Sequence, residues 1–302
     1  MPRVLVVGSA NVDFTVAVAR LPRPGETVSG GTLLVNHGGK GANQAVAARR
    51  LGGDVAFVAC VGDDDAGVAV RAALAREGID VAGVTVSSTT ATGTALIVVD
   101  AEGRNQIAVA PGANHALAVD DVERANFAGA AVVVCQLETP VASVRRVLET
   151  ARRHGARTLL NPAPVPAAHV DLWPLVDYLT PNAGEAERFT GVAVGDRATA
   201  TVAAARFREW GVGTVIVTLG EDGALASGPA GVMHMPGFAV TAVDTTAAGD
   251  AFNGALALAL AERRPLAEGL RFANAAAALA CTRRGAQASL PGRVEVEALL
   301  AR

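Results

Sequence analysis

A chain of 302 residues, 51% of them hydrophobic, can bury a sizeable core as one large α/β unit or two smaller ones. The formal net charge of −3 and the 4% aromatic content exclude the basic footprint of a nucleic-acid binder and the stacking platform of a single-strand binder. No apolar run reaches the roughly 18 residues that would span a bilayer, so no membrane partner is expected.

The first predicted strand is "RVLVVG". "MPRVLVVGSANVDF" reads as a strand and not as a signal peptide, because its short apolar run ends in Asn and Asp. "GSANVD" follows as a polar loop at the strand's carboxyl end, where open α/β sheets bind ligands. Asn11 and Asp13 in it could hydrogen-bond a polyol, and both are also ordinary turn residues. Residues 14–36 show no helical period and many turn formers. "HGGKGANQ" is a glycine-rich loop before a helix, a place where backbone N–H groups meet an anion or a hydroxyl. It fails both the Walker A pattern and the dinucleotide fingerprint. Lys40 is the only lysine in the chain. A compact, movable ammonium kept between glycines, where every other basic position is arginine, points to a functional role. His37 reads as a local loop residue.

Beyond this loop the rhythm is regular. "GANQAVAARRLGG" is a helix stopped by Gly52 and Gly53, "DVAFVACVG" a strand, and "AGVAVRAALAREG" a helix ended by Gly78. Residues 93–110 form a predicted hairpin around "DAEG". With residues 14–36 they suggest a small β layer outside the main sheet, placed as a lid. "AAVVVCQ" is a buried strand that delivers Glu138, and Thr139 is the expected N-cap with Pro140 as first residue of the next helix. "ARTLLN" and "VDYLTPN" are short strands. In "TPNAGEAE", Asn182 and Glu185 share a helix face. They could face hydrated magnesium and phosphates, or form a capping box. "ATVAAARFREWG" is a helix and "VGTVIVTLG" a strand, whose exit "TLGEDG" could cradle phosphate or adenine. The final third holds two alanine-rich helices, around 249–261 and 266–282. Continuous apolar strands alternating with helices indicate a parallel sheet covered on both faces. Cys60, Cys135 and Cys281 have no metal or redox spacing and read as buried reduced thiols of a cytoplasmic protein.

"DTTAAGDAFNGAL" (244–256) sets two carboxylates around the smallest residues, at the start of a helix. Ala247, Ala248 and Gly249 leave backbone N–H groups uncovered, and with the helix dipole these make an anion pocket. Asp250 follows directly. It is placed to take a proton from a hydroxyl attacking a phosphoryl group held there.

Taken together, "GSANVD", "GGKGANQAVAA", "NPAP" (161–164), "PNAGEAE", "DTTAAGDAFNGAL" and "RFANAAAALACTRRGAQASLP" resemble the PfkB-type carbohydrate kinases, and the ribokinases among them, over essentially the whole length. The resemblance implies a ribokinase-like three-layer core in one sugar-kinase domain spanning 1–302, its mostly parallel sheet covered by helices on both faces. It also implies a small β lid over the sugar, a homodimer through that lid, and direct transfer of the ATP γ-phosphoryl group to the 5-hydroxyl of ribose. By position, Asn11, Asp13, Gly39, Lys40, Asn43 and Glu138 would hold the sugar. Asp250 would be the general base, and Ala247, Ala248 and Gly249 the anion hole. Asn182, Thr218, Gly220, Gly223 and Asn274 match nucleotide positions, with Glu185 linked to Mg2+ and phosphate. Asp244, Thr246, the carbonyls of Ala280, Arg283 and Gly285, and Ser289 match a K+ site. Three departures stand out: "PNAGEAE" where the family reads "PNETEAE", Asn274 in place of a histidine near adenine, and His37 where an apolar residue is usual. Rival readings are a PfkB-type kinase for another pentose, a hexose or a nucleoside, and a non-catalytic sugar sensor. A nicotinamide dehydrogenase is disfavoured by the missing fingerprint.

Overall fold

The computed structural model describes residues 3–302. Met1 and Pro2, which belong to the stretch read as a first strand, lie outside the described residues. Strand β1 (Arg3–Val7) is apolar after its first residue and buried on both faces. The chain leaves the main sheet for β2 (Asn11–Ala17) and β3 (Thr32–Gly38). It returns through α1 (Lys40–Arg50), β4 (Asp54–Gly62), α2 (Asp65–Arg76) and β5 (Asp80–Ser87). A hairpin, β6 (Gly93–Val99) and β7 (Asn105–Ala110), rejoins β2. The second half runs α3 (Val119–Arg124), β8 (Ala130–Cys135), α4 (Val141–Arg153), β9 (Arg157–Leu160), β10 (Tyr178–Leu179), α5 (Ala183–Thr190) and α6 (Arg197–Glu209). It ends with β11 (Thr214–Thr218), β12 (Ala224–Gly228), β13 (Gly231–Met235), α7 (Ala248–Ala261), α8 (Leu266–Ala280) and α9 (Arg293–Leu300).

The main sheet has nine strands in the order β13-β12-β11-β10-β9-β8-β1-β4-β5. All neighbours pair parallel except β11–β12 and β12–β13, an antiparallel edge the sequence did not announce. Alternate residues of β1 serve opposite faces, as the twofold period of a strand requires. Val4 and Val6 join the core under α1, α7 and α8, and Leu5 and Val7 the core under α4 and α6. The chain builds outward from β1 to β4 and β5, then crosses back to β8 on the other side of β1. That reversal opens a crevice at the carboxyl ends of β1 and β8, the place where doubly wound sheets take ligands. The second sheet is separate, in the order β3-β2-β6-β7.

Small residues in α7 decide how close the helices come. A Cβ on Gly254 would sit 2.7 Å from the Gln44 carbonyl oxygen, so only glycine permits this crossing of α7 on α1. The crossing brings the first turn of α7 against Asn43 and Gln44.

Four local expectations are corrected. Asn11 and Asp13 lie on strand β2, not in a loop, and His37 lies on β3. Pro140 occupies the N-cap position of α4 with ψ 131°, so the helix starts one residue later than expected and Thr139 does not cap it. Proline's fixed φ suits both positions, and only ψ separates them. Cys281 is half-buried, unlike Cys60 and Cys135, and all three thiols are free. Among the described residues no helix is long and apolar enough to cross a membrane.

Candidate active site

Glycine brings the first group together. Gly39 adopts φ 88°, a conformation that other residues rarely hold, and turns the chain from β3 into α1. Lys40 thereby opens α1 beside the end of β8. The Lys40 backbone N–H donates to Glu138 Oε2 at 3.1 Å, and the Ser9 hydroxyl donates to the same oxygen. The Ser9 Oγ in turn accepts the Gly41 N–H at 3.3 Å. Asn11 is buried, and its Oδ1 accepts from Asn114 Nδ2 at 2.7 Å, which leaves the Asn11 amide nitrogen to donate elsewhere. Burial, and then repulsion from Glu138, raises the Asp13 carboxyl to a pKa of about 6.

Asp250 is buried in the first turn of α7. Each carboxylate oxygen takes one amide donor from α1: Asn43 Nδ2 to Oδ2 at 2.9 Å and Gln44 Nε2 to Oδ1 at 3.0 Å. Burial raises its pKa, while the Lys40 charge and these two donors oppose the rise. Burial also pulls on the Lys40 ammonium, but the carboxylates of Asp250, Glu138 and Glu185 outweigh it and hold the pKa above its ordinary value. The base candidate and the lysine therefore lie in each other's field, each favouring the charged form of the other. Asn43 Oδ1 is buried without a partner, an acceptor that a ligand hydroxyl would satisfy.

No side chain caps α7. Ala247 holds φ 59°, and the Ala248 N–H is turned back to the Thr245 carbonyl at 3.2 Å. Among the described residues the N–H groups of Ala247, Gly249 and Asp250 have no acceptor, and a Cβ on Gly249 would meet nothing within 4 Å. Of the cradle expected at Ala247, Ala248 and Gly249, only the Ala248 N–H is spent, and Asp250 adds a further free donor. Uncapped N–H groups at a dipole's positive end, facing open space, fit a phosphate.

The third group lies at the ends of β10 and β11. Asn182 and Glu185 form the capping box that one reading foresaw. Asn182 Oδ1 accepts the Glu185 N–H at 2.8 Å, and Glu185 Oε2 accepts the Asn182 N–H at 2.9 Å. The two readings are compatible, since the second Glu185 oxygen stays free of this pair and the carboxylate feels Lys40 and Asp250. Burial raises its pKa. Thr218 bridges to Asn182, and Gly220 and Gly223 bound the turn after β11. Asn274 spends its amide donors on the carbonyls of Met235 and Pro236, both at 3.0 Å, so it braces the wall beside Gly223.

Asp244 links the fourth group. Its two oxygens accept from the N–H groups of Thr246 and Gly285, both at 2.9 Å. Burial opposes its ionisation, but the hydrogen bonds from Thr246 and Gly285 and the Arg284 charge win, and its pKa falls. Thr246 is exposed. Ala280 offers a carbonyl already reached by the Arg283 N–H at 3.3 Å, and Ser289 Oγ donates to the Ala286 carbonyl at 2.9 Å. The contacts join Asp244 to Thr246 and Gly285, and a carboxylate that stays ionised suits a hard cation.

Sequence reasoning gave no role to the amides behind Asp250. Gln136 Nε2 donates to Gln44 Oε1 at 2.7 Å, and Gln44 Nε2 also reaches Asn161 Oδ1 at 3.1 Å. Asn161 Nδ2 donates to the Thr180 carbonyl, and the Thr180 hydroxyl to Asn253 Oδ1. The signal was present: glutamines inside otherwise apolar segments, at positions the folded chain buries, must find partners.

The chain matches the description "pfkB family carbohydrate kinase" over residues 1–293. It is 43% identical over 292 residues to a ribokinase of Haemophilus influenzae, covering 96% of this chain and 95% of that one. It is 35% identical over 292 residues to a deoxyribokinase of Salmonella typhimurium, covering 95% of each. Its fold superposes on the Arabidopsis thaliana ribokinase complexed with ribose and ATP with a TM-score of 0.91 and 33% identity, over 99% of this chain and 98% of that one. With the family match spanning nearly all its length, the chain belongs to the pfkB family of carbohydrate kinases.

Proposed function

We propose that this enzyme transfers the γ-phosphoryl group of ATP to the 5-hydroxyl of ribose, giving ribose 5-phosphate and ADP. The observation that carries this reading is Asp250: a buried carboxylate, fixed on both oxygens, beside a helix N-terminus with unpaired N–H groups. The 5-hydroxyl loses its proton to Asp250 as its oxygen attacks the γ-phosphorus, and ADP leaves. The N–H groups of Gly249 and Asp250 and the Lys40 ammonium stabilise the charge gathering on the transferring group. Asn11, Asp13, Gly39, Asn43 and Glu138 hold the sugar hydroxyls. Asn182, Thr218, Gly220, Gly223 and Asn274 line the nucleotide side.

Glu185 would hold hydrated Mg2+, which would supply positive charge to the phosphates. Asp244, Thr246, the carbonyls of Ala280, Arg283 and Gly285, and Ser289 would hold K+, which would neutralise Asp244 and steady the turn before α7. Adding potassium at constant ionic strength should then raise activity, and Asp244→Ala should abolish the response.

We further infer that the second sheet is a lid over the sugar, within one working unit spanning the chain in the cytoplasm. Its Leu33, Leu34, Leu96, Ile107 and Val109 are each more than half exposed, which favours a homodimer through this sheet. Sedimentation of the purified chain tests that assembly.

A coupled ADP-release assay over pentoses, hexoses and nucleosides tests the reaction. Ribose should lead, and 2-deoxyribose should trail by about tenfold or more, since an unpaired buried polar group costs about 1–3 kcal/mol. The likeness to a deoxyribokinase makes 2-deoxyribose the sharpest rival. Equal rates for the two sugars would overturn the ribose assignment, and no ADP release with any acceptor would overturn the kinase.

A further inference from the structure

Among the described residues four buried side-chain polar atoms lack a partner. Asn43 Oδ1 and Gln136 Oε1 belong to the site above. The other two, His37 Nδ1 and Gln287 Nε2, belong to residues that line a different cavity, of about 430 Å³. Its walls are β3 through Val35 and His37, the end of α1 through Arg50, α2 through Arg76 and Glu77, and the Gln287–Ser289 turn. It follows the seam between the second sheet and the body, where β3 packs on that turn.

The charges around this cavity do not balance. Arg50 and Glu77 cancel each other, with Arg50 NH2 on Glu77 Oε1 at 2.6 Å and Arg50 Nε on Oε2 at 3.1 Å. Arg50 NH1 is also spent, on the Gln287 and Leu290 carbonyls. Arg76 has no carboxylate or hydrogen-bond partner among the described residues. Burial, and then the Arg76 charge, holds the His37 imidazole below its ordinary pKa, so the cationic excess here is that of Arg76. An exposed guanidinium with no protein partner among the described residues, lining the same cavity as a buried amide donor and a buried ring nitrogen that lack partners, suits a compact oxyanion.

We propose that this cavity is a second ligand site, which takes phosphate, free or as the head of a small phosphomonoester, on Arg76, Gln287 and His37. A ligand there would touch β3, which leads through Gly38 and Gly39 into Lys40, and also α2 and the Gln287 turn. Its occupancy would restrain the second sheet against the body.

The test uses the full chain with the first site filled. A non-hydrolysable ATP analogue with magnesium, plus ribose, is bound to saturation and followed in the calorimeter. Failure of that step would count against the proposed function and not against this site. Inorganic phosphate and, separately, glycerol 2-phosphate are then titrated in at constant ionic strength. One equivalent should bind, and Arg76→Ala and Gln287→Ala should each weaken it by about tenfold, the loss expected for a charge-assisted contact. Arg71→Ala, elsewhere on α2, should leave binding unchanged. Tighter binding of glycerol 2-phosphate would name a phosphomonoester as the ligand, and tighter binding of phosphate the free ion. No phosphate binding by the parent protein, or binding that both variants retain in full, overturns the proposal.

Discussion

Asp250 on the body and Asp13 on the second sheet both lie in the field of Glu138, yet they are held in opposite ways. Asp250 has an amide donor on each oxygen, and one of these donors, Gln44, is itself braced by Gln136 after β8 and Asn161 after β9. Asp13 has no hydrogen bond to its carboxylate among the described residues, and its pKa is raised to about 6 by burial and then by Glu138. The body satisfies its carboxylate before any ligand arrives, which suits a group that must hold charge in one place through a reaction. The second sheet leaves its carboxylate for the ligand to satisfy, which suits recognition. Loss of the first should therefore cost turnover, and loss of the second should cost binding.

The largest effect is expected on the body side. Asp250→Asn should lower kcat by about 10²–10⁴ while calorimetry finds sugar affinity nearly unchanged. Retention of more than about a tenth of the parent kcat would remove Asp250 from the role of base.

Asp13→Asn should instead raise the sugar KM by about tenfold, within the 1–3 kcal/mol of a lost buried contact, with kcat little altered. The pH dependence sharpens the point. Sugar hydroxyls donate best to the ionised carboxylate, so the parent KM should climb as pH falls from 7 to 5 through the Asp13 pKa of about 6. The Asp13→Asn profile should be flat over that range. For stability the sign reverses, because the folded pKa lies above the ordinary 3.8. The Asp13 contribution to the sugar-free protein is fully present below pH 3.8 and is lost as pH rises through about 6. A parent KM that does not change between pH 5 and 7 would break the comparison.

A smaller effect tests the bracing behind Asp250. Gln44→Leu removes the donor to Oδ1 and leaves Asn43 in place. The acid limb of kcat against pH should move upward, with kcat down by about tenfold at neutral pH. A variant that is merely less stable would leave the limb where it was.

The smallest effect lies next door. Ala247 sits at φ 59°, a left-handed conformation that costs a residue with a Cβ about 1–2 kcal/mol. Ala247→Gly should raise stability to urea by about 0.5–1 kcal/mol, part of the relief being offset by glycine's greater unfolded freedom. Its kcat should stay within about twofold of the parent, a change too small to involve the donors of the cradle. A stability loss would mean that Ala247 is not strained.

Much of this architecture was legible in the chain. Continuous apolar runs such as "AAVVVCQ" marked buried parallel strands, and the small residues before Asp250 marked an uncapped helix start. Residues 14–36 and 93–110 were read as strands outside the main sheet, and the second sheet formed by β2, β3, β6 and β7 overlaps both. What escaped was set by distant partners. Nothing near Gln44 in sequence announces Gln136 or Asn161, which lie 92 and 117 residues away. Asn11 and Asp13 have turn chemistry, but pairing with β3 and β6 holds them in a strand. The left-handed turn at Ala247 is imposed by the chain around it, since alanine carries no local preference for it.

The single lysine has a consequence for chemical labelling. In a chain otherwise basic through arginine, Lys40 is the only side-chain amine that an acylating or reductive-alkylating reagent can find. It lies half-buried at the floor of the cleft, where neighbouring carboxylates keep it protonated and slow to react. Modification there would therefore report on the cleft alone. A bound nucleotide or sugar would shield the amine, and the rate of its loss would track occupancy without any tag placed on the protein.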